Sequence, residues 1–275
     1  MTDNASPVVL ITGATDGLGQ ALAERLAAQG ARLLLHGRNA AKGEAVVAAL
    51  RQRFPGVQAH YFNADLASLQ QVRELAAALT EGEARLDVLV NNAGVGPLTP
   101  DTPRRLSMDG HELFFAVNYL AGYALTHALL PLLRQSAPAR VVNVASIGQQ
   151  ALEFDNLMLE RDYDDARAYR QSKLAQILFT FDLAEQLEGS GVSVNCLHPA
   201  TLMNTGMVSN SSYFPGPMTS LEQGVEALEH LVLGADVADV NGAYFDGLQP
   251  ARANDQAYDA QARQRLRELS EALCG

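Results

Sequence analysis

Short apolar runs recur along the chain, and each is followed by a longer segment whose apolar positions fall three to four residues apart. "VVLI" precedes helical spacing over 18–29, "RLLLH" precedes 40–53, "VQAHYF" precedes 68–81, and "LDVLV" precedes two helical stretches reaching about 134. "RVVNVAS" then leads to 166–188, "VSVNCLH" to 221–233, and "GAYF" to a charged helix over 254–272. The short runs carry Val, Leu and Ile without strict polar alternation, as strands covered on both faces do. Strand and helix in unbroken series predict parallel strands joined by right-handed crossovers. The expected fold is α/β and doubly wound, with a seven-stranded parallel sheet and helices on both faces. Nothing marks a second domain within 1–275, and the one long irregular stretch, 199–220, reads as a substrate loop.

In such a sheet the first strand-to-helix turn is where a phosphate binds. Here it reads "TGATDGLG" at 12–19, with Gly13, Thr15, Asp16, Gly17, Leu18 and Gly19 in position to border a ligand. Residues without a β-carbon allow a tight reversal and close backbone approach, and the helix start offers free amides and the positive dipole end. The G-x-x-x-G-x-G spacing differs from the G-x-G-x-x-G fingerprint and has no P-loop lysine. It fits a Rossmann-like dinucleotide site, and taken alone it also fits a tight connection.

Four further motifs follow in order: "NNAG" at 91–94, "VN" at 117–118, "VNVAS" at 142–146 and "YRQSK" at 169–173. With the glycine turn they resemble the short-chain dehydrogenase/reductase family over nearly the whole chain. In "RVVNVAS", "AYRQSKLAQILFTFDLA", "VNCLHP" and "GAYF" the chain is similar to the retinol dehydrogenase and WW-domain oxidoreductase branch. The resemblance implies a catalytic set of Asn118, Ser146, Tyr169 and Lys173, and an enzyme moving a hydride between nicotinamide and a carbonyl or alcohol. Tyr169 and Lys173 are four apart on a predicted helix, so they share a face, and a nearby ammonium favours tyrosinate and lowers the tyrosine pKa. Ser146, at a strand end, is placed to stabilise charge on the same substrate oxygen. Asn118, by resemblance, holds a water that links Lys173 to solvent.

Binding NAD through this fold uses an acidic residue at the end of the second strand. That position reads "HGRN", so Arg38 is available for a 2′-phosphate, with Asn39 beside it and Lys42 a turn later, and NADP(H) is expected in preference to NAD(H). Asp65 in "NADL" matches the position that bonds the adenine edge and equally suits a helix N-cap; Leu66 follows it. Asn92, Ala93 and Gly94 should border adenine and ribose, Tyr169 and Lys173 the nicotinamide ribose, and Pro199 and Thr201 the carboxamide. In "HPATLMNT", Ala200 replaces the family's glycine, so Thr201, Asn204 and Thr205 all stay open for the carboxamide contact.

Between Ser146 and Tyr169 lie 22 residues carrying Glu153, Asp155, Glu160, Asp162, Asp164 and Asp165, read as a solvated acidic loop. Met203, Met207, Tyr213, Phe214 and Met218 of the substrate loop fit two roles, lining an apolar pocket or anchoring the loop. Six histidines show no metal-ligand spacing, and Cys196 and Cys274 suggest no disulfide framework.

A net charge of −11 without a basic cluster points away from nucleic acid and anionic membranes as partners. "MTDNASP" is not a secretory signal, and no apolar run approaches the roughly 20 residues of a membrane span, so a cytoplasmic protein is expected. The resemblance implies a homodimer or homotetramer built through the helices near 119–134 and 166–188, and a small carbonyl or alcohol substrate. Two alternatives stand beside this: an NADP(H)-binding sensor without turnover, and an epimerase or dehydratase of the same family.

Overall fold

The computed structural model describes residues 6–99 and 102–275. Its strands are β1 (Val8–Ile11), β2 (Arg32–Gly37), β3 (Ala59–Asn63), β4 (Val88–Asn91), β5 (Ala139–Val144), β6 (Val192–His198), β7 (Tyr244–Asp246) and β8 (Gln249–Pro250). They form one sheet in the order β3-β2-β1-β4-β5-β6-β7-β8. Seven run parallel, as expected, but there are eight: the chain reverses at Gly247, φ +58°, and pairs Gln249 and Pro250 antiparallel with β7. Proline is tolerated there because β8 is an edge.

The helices are α1 (Gly17–Ala28), α2 (Ala40–Arg53), α3 (Leu69–Gly82), α4 (Ala121–Gln135), α5 (Asp165–Gln186), α6 (Gly206–Ser209), α7 (Leu221–Leu233) and α8 (Ala260–Cys274). Successive strand residues point to opposite faces, and both faces here are apolar. Val9, Ile11, Leu33, Leu35, Val88, Val90, Val142 and Val144 pack with α1, α2 and α7. Leu10, Leu34, Leu89 and Val141 pack with α3, α4 and α5. Each such side chain removed from water contributes about 1.5–3 kcal/mol.

Of the two helical stretches expected between β4 and 134, one forms among the described residues: a π-helical turn, Phe115–Leu120, that runs into α4. Pro97 and Pro103 supply no amide to a helix in the preceding segment, whose described residues stay irregular up to the helical start at Leu113 apart from the Leu106–Glu112 bridge. Phe115–Gln135 is 21 residues long and holds an 18-residue stretch of mean hydropathy 1.2, so that, against the expectation from the sequence, one helix is long and apolar enough to cross a bilayer. In the fold 67% of its apolar window is buried, as in a core helix.

One face of α5 is covered by the chain's own α8. Arg267 pairs with Asp182 at 2.8 Å, Arg263 with Glu185 at 2.6 Å, and the Tyr119 hydroxyl meets Ser270 at 2.7 Å. Leu266 of α8 is 1% exposed within the same cluster as Phe181 and Leu178. Leu266→Ala should therefore lower the unfolding free energy by about 2–5 kcal/mol, read from urea denaturation; a surface-like change under about 0.5 kcal/mol would mean that α8 is not part of this core.

Candidate active site

Strand order reverses between β1 and β4, so the turns leaving their carboxyl ends lie side by side and open a crevice. Gly13 has φ +66°, and a β-carbon there would stand 2.8 Å from the Ala93 Cα. The Thr12 hydroxyl accepts from the amides of Asn92 and Ala93, both at 3.0 Å, and the Asn92 Nδ2 donates to the carbonyls of Thr12 (2.8 Å) and Gly13 (3.2 Å). Gly19 packs so closely that its β-carbon would fall 2.4 Å from the Gly13 carbonyl oxygen. The Leu18 and Gly19 amides find no acceptor among the described residues, while the Asp16 carboxylate takes the Gly17 amide at 2.7 Å. Thr15 lies over Gly37. Free amides at a helix start behind a glycine turn fit a pyrophosphate.

His36 was not singled out for a role from the sequence. Its Nδ1 accepts from the Gly13 amide at 3.4 Å, so its Nε2 donates to the Ala64 carbonyl at 3.0 Å, and the ring braces the turn against the end of β3. Burial pushes its pKa down, which keeps the accepting nitrogen unprotonated. Strand alternation, which sends His36 to the same face as Leu34, was the available signal.

The π-helical turn and α5 bring Asn118, Tyr169 and Lys173 together. Asn118 donates from Nδ2 to the Val95 carbonyl (3.1 Å) and the Ser172 hydroxyl (2.9 Å), and accepts the Val95 amide at 2.7 Å. Lys173, 3% exposed, donates to the Val144 carbonyl at 2.9 Å and the Gln176 Oε1 at 3.0 Å, with Nζ 5.8 Å from the Tyr169 ring centroid. Gly94 faces both: a β-carbon there would be 3.2 Å from the Asn118 Oδ1 and 3.6 Å from the Lys173 Nζ. Ser146 is two residues past β5; its hydroxyl accepts the Gly148 amide at 3.0 Å, and its carbonyl takes bonds from Gln149 (3.0 Å) and Tyr244 (3.3 Å).

Electrostatics in this pocket differ from the expectation. Desolvation holds Lys173 down at about 7, and burial raises Tyr169 above the usual phenol value, with a hydrogen bond to Ser146 acting the other way. Both groups are thus biased towards neutrality, because the same dry site disfavours each charge and Lys173 spends its donors on Val144 and Gln176.

At the adenosine end, Arg38 and Lys42 are exposed beyond β2, and Arg38 makes no salt bridge among the described residues. Asn39 caps α2 by accepting the Lys42 amide at 3.0 Å. Ser68 caps α3, so Asp65 is not its N-cap; Asp65 Oδ1 takes the Ala67 amide at 2.9 Å, and Leu66 is buried beside it.

The loop after β6 folds over the crevice. Pro199 is buried, the Thr201 hydroxyl meets the His198 Nε2 at 3.1 Å, Asn204 is exposed, and the Thr205 methyl stands 3.3 Å from where a Gly17 β-carbon would lie. Met203 anchors the loop, packing against Gly224 and Leu18, whereas Met207 lies on Gly96 and Met218 is 68% exposed. The acidic segment is not wholly solvated. Asp164 caps α5, Glu153 pairs with Arg167, Asp155 pairs with Arg265, and Asp165 is fully buried.

The fold and this cleft define a nicotinamide-dependent oxidoreductase acting on alcohol and carbonyl groups. The chain belongs to the short chain dehydrogenase family, whose model matches residues 7–214. It is 38% identical to human retinol dehydrogenase 13 over 282 residues, covering 97% of this chain and 84% of that one. Among solved structures it is similar to a Shigella flexneri short chain dehydrogenase complexed with NADP (TM-score 0.73, 26% identity, covering 88% of this chain and 97% of that one). It is also similar to a Pseudomonas aeruginosa RhlG/NADP complex (TM-score 0.71, 30% identity, 88% and 94%).

Gly19→Ala should weaken dinucleotide binding by at least about 10-fold through displacement of the Gly13 carbonyl, measured by fluorescence titration; unchanged affinity would dissociate this packing from binding. Lys173 has a native pKa near 7 against 10.5 unfolded, so the unfolded chain binds more protons between those values and the lysine's destabilising effect fades as pH rises through them. Lys173→Met should therefore flatten the dependence of stability on pH between 7 and 10, seen by urea denaturation at several pH values.

Proposed function

We propose that this dehydrogenase prefers NADP(H) and reduces a small, apolar carbonyl compound. The observation that carries the cofactor preference is the end of β2, where Arg38 and Lys42 stand exposed and the three residues His36, Gly37 and Arg38 include no carboxylate. A guanidinium offers paired donors to a 2′-phosphate, while a carboxylate would accept from an unphosphorylated ribose. The apolar substrate is supported by the Met207 and Met218 side chains on the loop and by the likeness to retinol dehydrogenase 13, named for an apolar alcohol. Localisation in the cytoplasm belongs to the same reading, as does a homodimer or homotetramer; the assembly would use surfaces other than the α5 face under α8.

The residues present fit a dinucleotide: a glycine turn too crowded for side chains, α1 amides without an acceptor among the described residues, and the buried Lys173 Nζ facing Gly94. When bound, the nicotinamide supplies or accepts the hydride. The Tyr169 hydroxyl, kept protonated by burial, is the acid that gives a proton to the developing alkoxide oxygen. The Ser146 Oγ steadies that oxygen, and the Gln149 and Tyr244 bonds to its carbonyl hold its backbone still. Lys173, with a pKa close to neutrality, is poised to return a proton to Tyr169, and Asn118 anchors the turn beside it.

Tyr169→Phe should reduce kcat/KM with NADPH and aldehydes or ketones by about 10²–10⁴-fold while dinucleotide affinity persists. Arg38→Ala should cost NADPH about 10–100-fold in affinity and leave NADH unchanged; an unaltered NADPH/NADH ratio would remove the cofactor assignment.

A further inference from the structure

Asp165 opens α5 one helical turn before Tyr169, so the two side chains leave the same face of the catalytic helix. It is 1% exposed and makes no salt bridge among the described residues. Its charge is met by two donors from separate segments. The Leu98 amide, in the segment that follows "NNAG", donates to Oδ2 at 3.0 Å, and the Tyr213 hydroxyl, in the loop after β6, donates to Oδ1 at 2.5 Å. The same two segments are joined directly, because the Ser212 amide donates to the Leu98 carbonyl at 2.7 Å. The loop's other end leans on the glycine turn, where Thr205 meets Gly17, and its base is closed by the Met218 amide on the Leu202 carbonyl at 2.9 Å.

We propose that Asp165 is a positioning residue that latches the substrate loop shut, tying it through Tyr213 to the catalytic helix and through Leu98 to the opposite wall of the cleft. An ionised acceptor makes each of these bonds stronger than a neutral one, and opening the loop removes one donor from a buried carboxylate. The loop therefore opens against a local cost set by a residue one turn from the catalytic tyrosine, and residence of whatever fills the cleft depends on Asp165 without contact from it. The inference rests on the cleft being the dinucleotide and substrate site.

Hydrogen exchange on the protein without ligand tests the latch first, comparing the unmodified chain with Tyr213→Phe, Asp165→Asn and the double variant. Peptides over 206–214 should exchange about 10-fold faster in Tyr213→Phe, the scale of one charge-assisted bond, with β5 unchanged, and the double variant should exchange no faster than Asp165→Asn. A purely structural role would lower protection throughout the fold instead. Unchanged exchange over 206–214 in Tyr213→Phe, or full additivity in the double variant, overturns the proposal. Tyr213→Phe decides alone if Asp165→Asn does not fold. NADPH release by stopped-flow should also be about 10-fold faster in Tyr213→Phe. Failure of NADPH to bind the unmodified protein would instead count against the cofactor reading, while exchange still judges the latch.

Discussion

The close passage of two turns at the reversal of strand order is the constraint on which the site depends. β1 and β4 are neighbours, so the chain leaving each must clear the other, and at Gly13 against Ala93 there is room only for backbone. Thr12 and Asn92 convert that crowding into four hydrogen bonds that fix one turn against the other. The Leu18 and Gly19 amides, without an acceptor among the described residues, lie at the start of α1 beside this turn, and two residues past Asn92, Gly94 opens towards Asn118 and Lys173. The glycine turn and the Asn118–Lys173 cluster are therefore held by a single short stretch of chain.

Lys173 and Tyr169 show how a chain with an acidic surface builds a site that favours uncharged groups. Among the described residues the lysine is enclosed with only a carbonyl and an amide oxygen as hydrogen-bond partners and makes no salt bridge with a carboxylate. Its ammonium is stabilised by dipoles alone, which offset only part of the loss of water. An arginine in the same place would remain charged, whereas a lysine can approach neutrality near physiological pH. Gln176, one turn beyond Lys173, and the Val144 carbonyl at the end of β5 together hold Nζ 5.8 Å from the Tyr169 ring centroid.

Much of this was legible in the sequence, and the reasons are local. Strand and helix order followed from apolar runs buried on both faces, and the glycine turn from three glycines set between a strand pattern and a helix pattern. The eighth strand escaped because two residues, one of them proline, carry no periodic signal. His36 escaped because a histidine at a strand end reads as the absence of a carboxylate, while its role comes from two backbone groups 23 and 28 residues away. Asp165 was grouped with its acidic neighbours, since burial of a carboxylate depends on donors from Leu98 and Tyr213 that no local pattern brings near. The lysine–tyrosine pair was legible as a pair; its protonation was not, because desolvation is a property of everything packed around it.

The helix that carries Tyr169 and Lys173 is sealed by the last described element of the chain, since α8 lies along α5 and neutralises Asp182 and Glu185. During synthesis the elements forming the cleft emerge first, and α5 waits with an apolar stripe and two unpaired carboxylates until α8 arrives. Packing of α5 is thereby deferred until α8 has emerged, and a chain interrupted before α8 exposes that stripe although it already contains Asn118, Ser146, Tyr169 and Lys173.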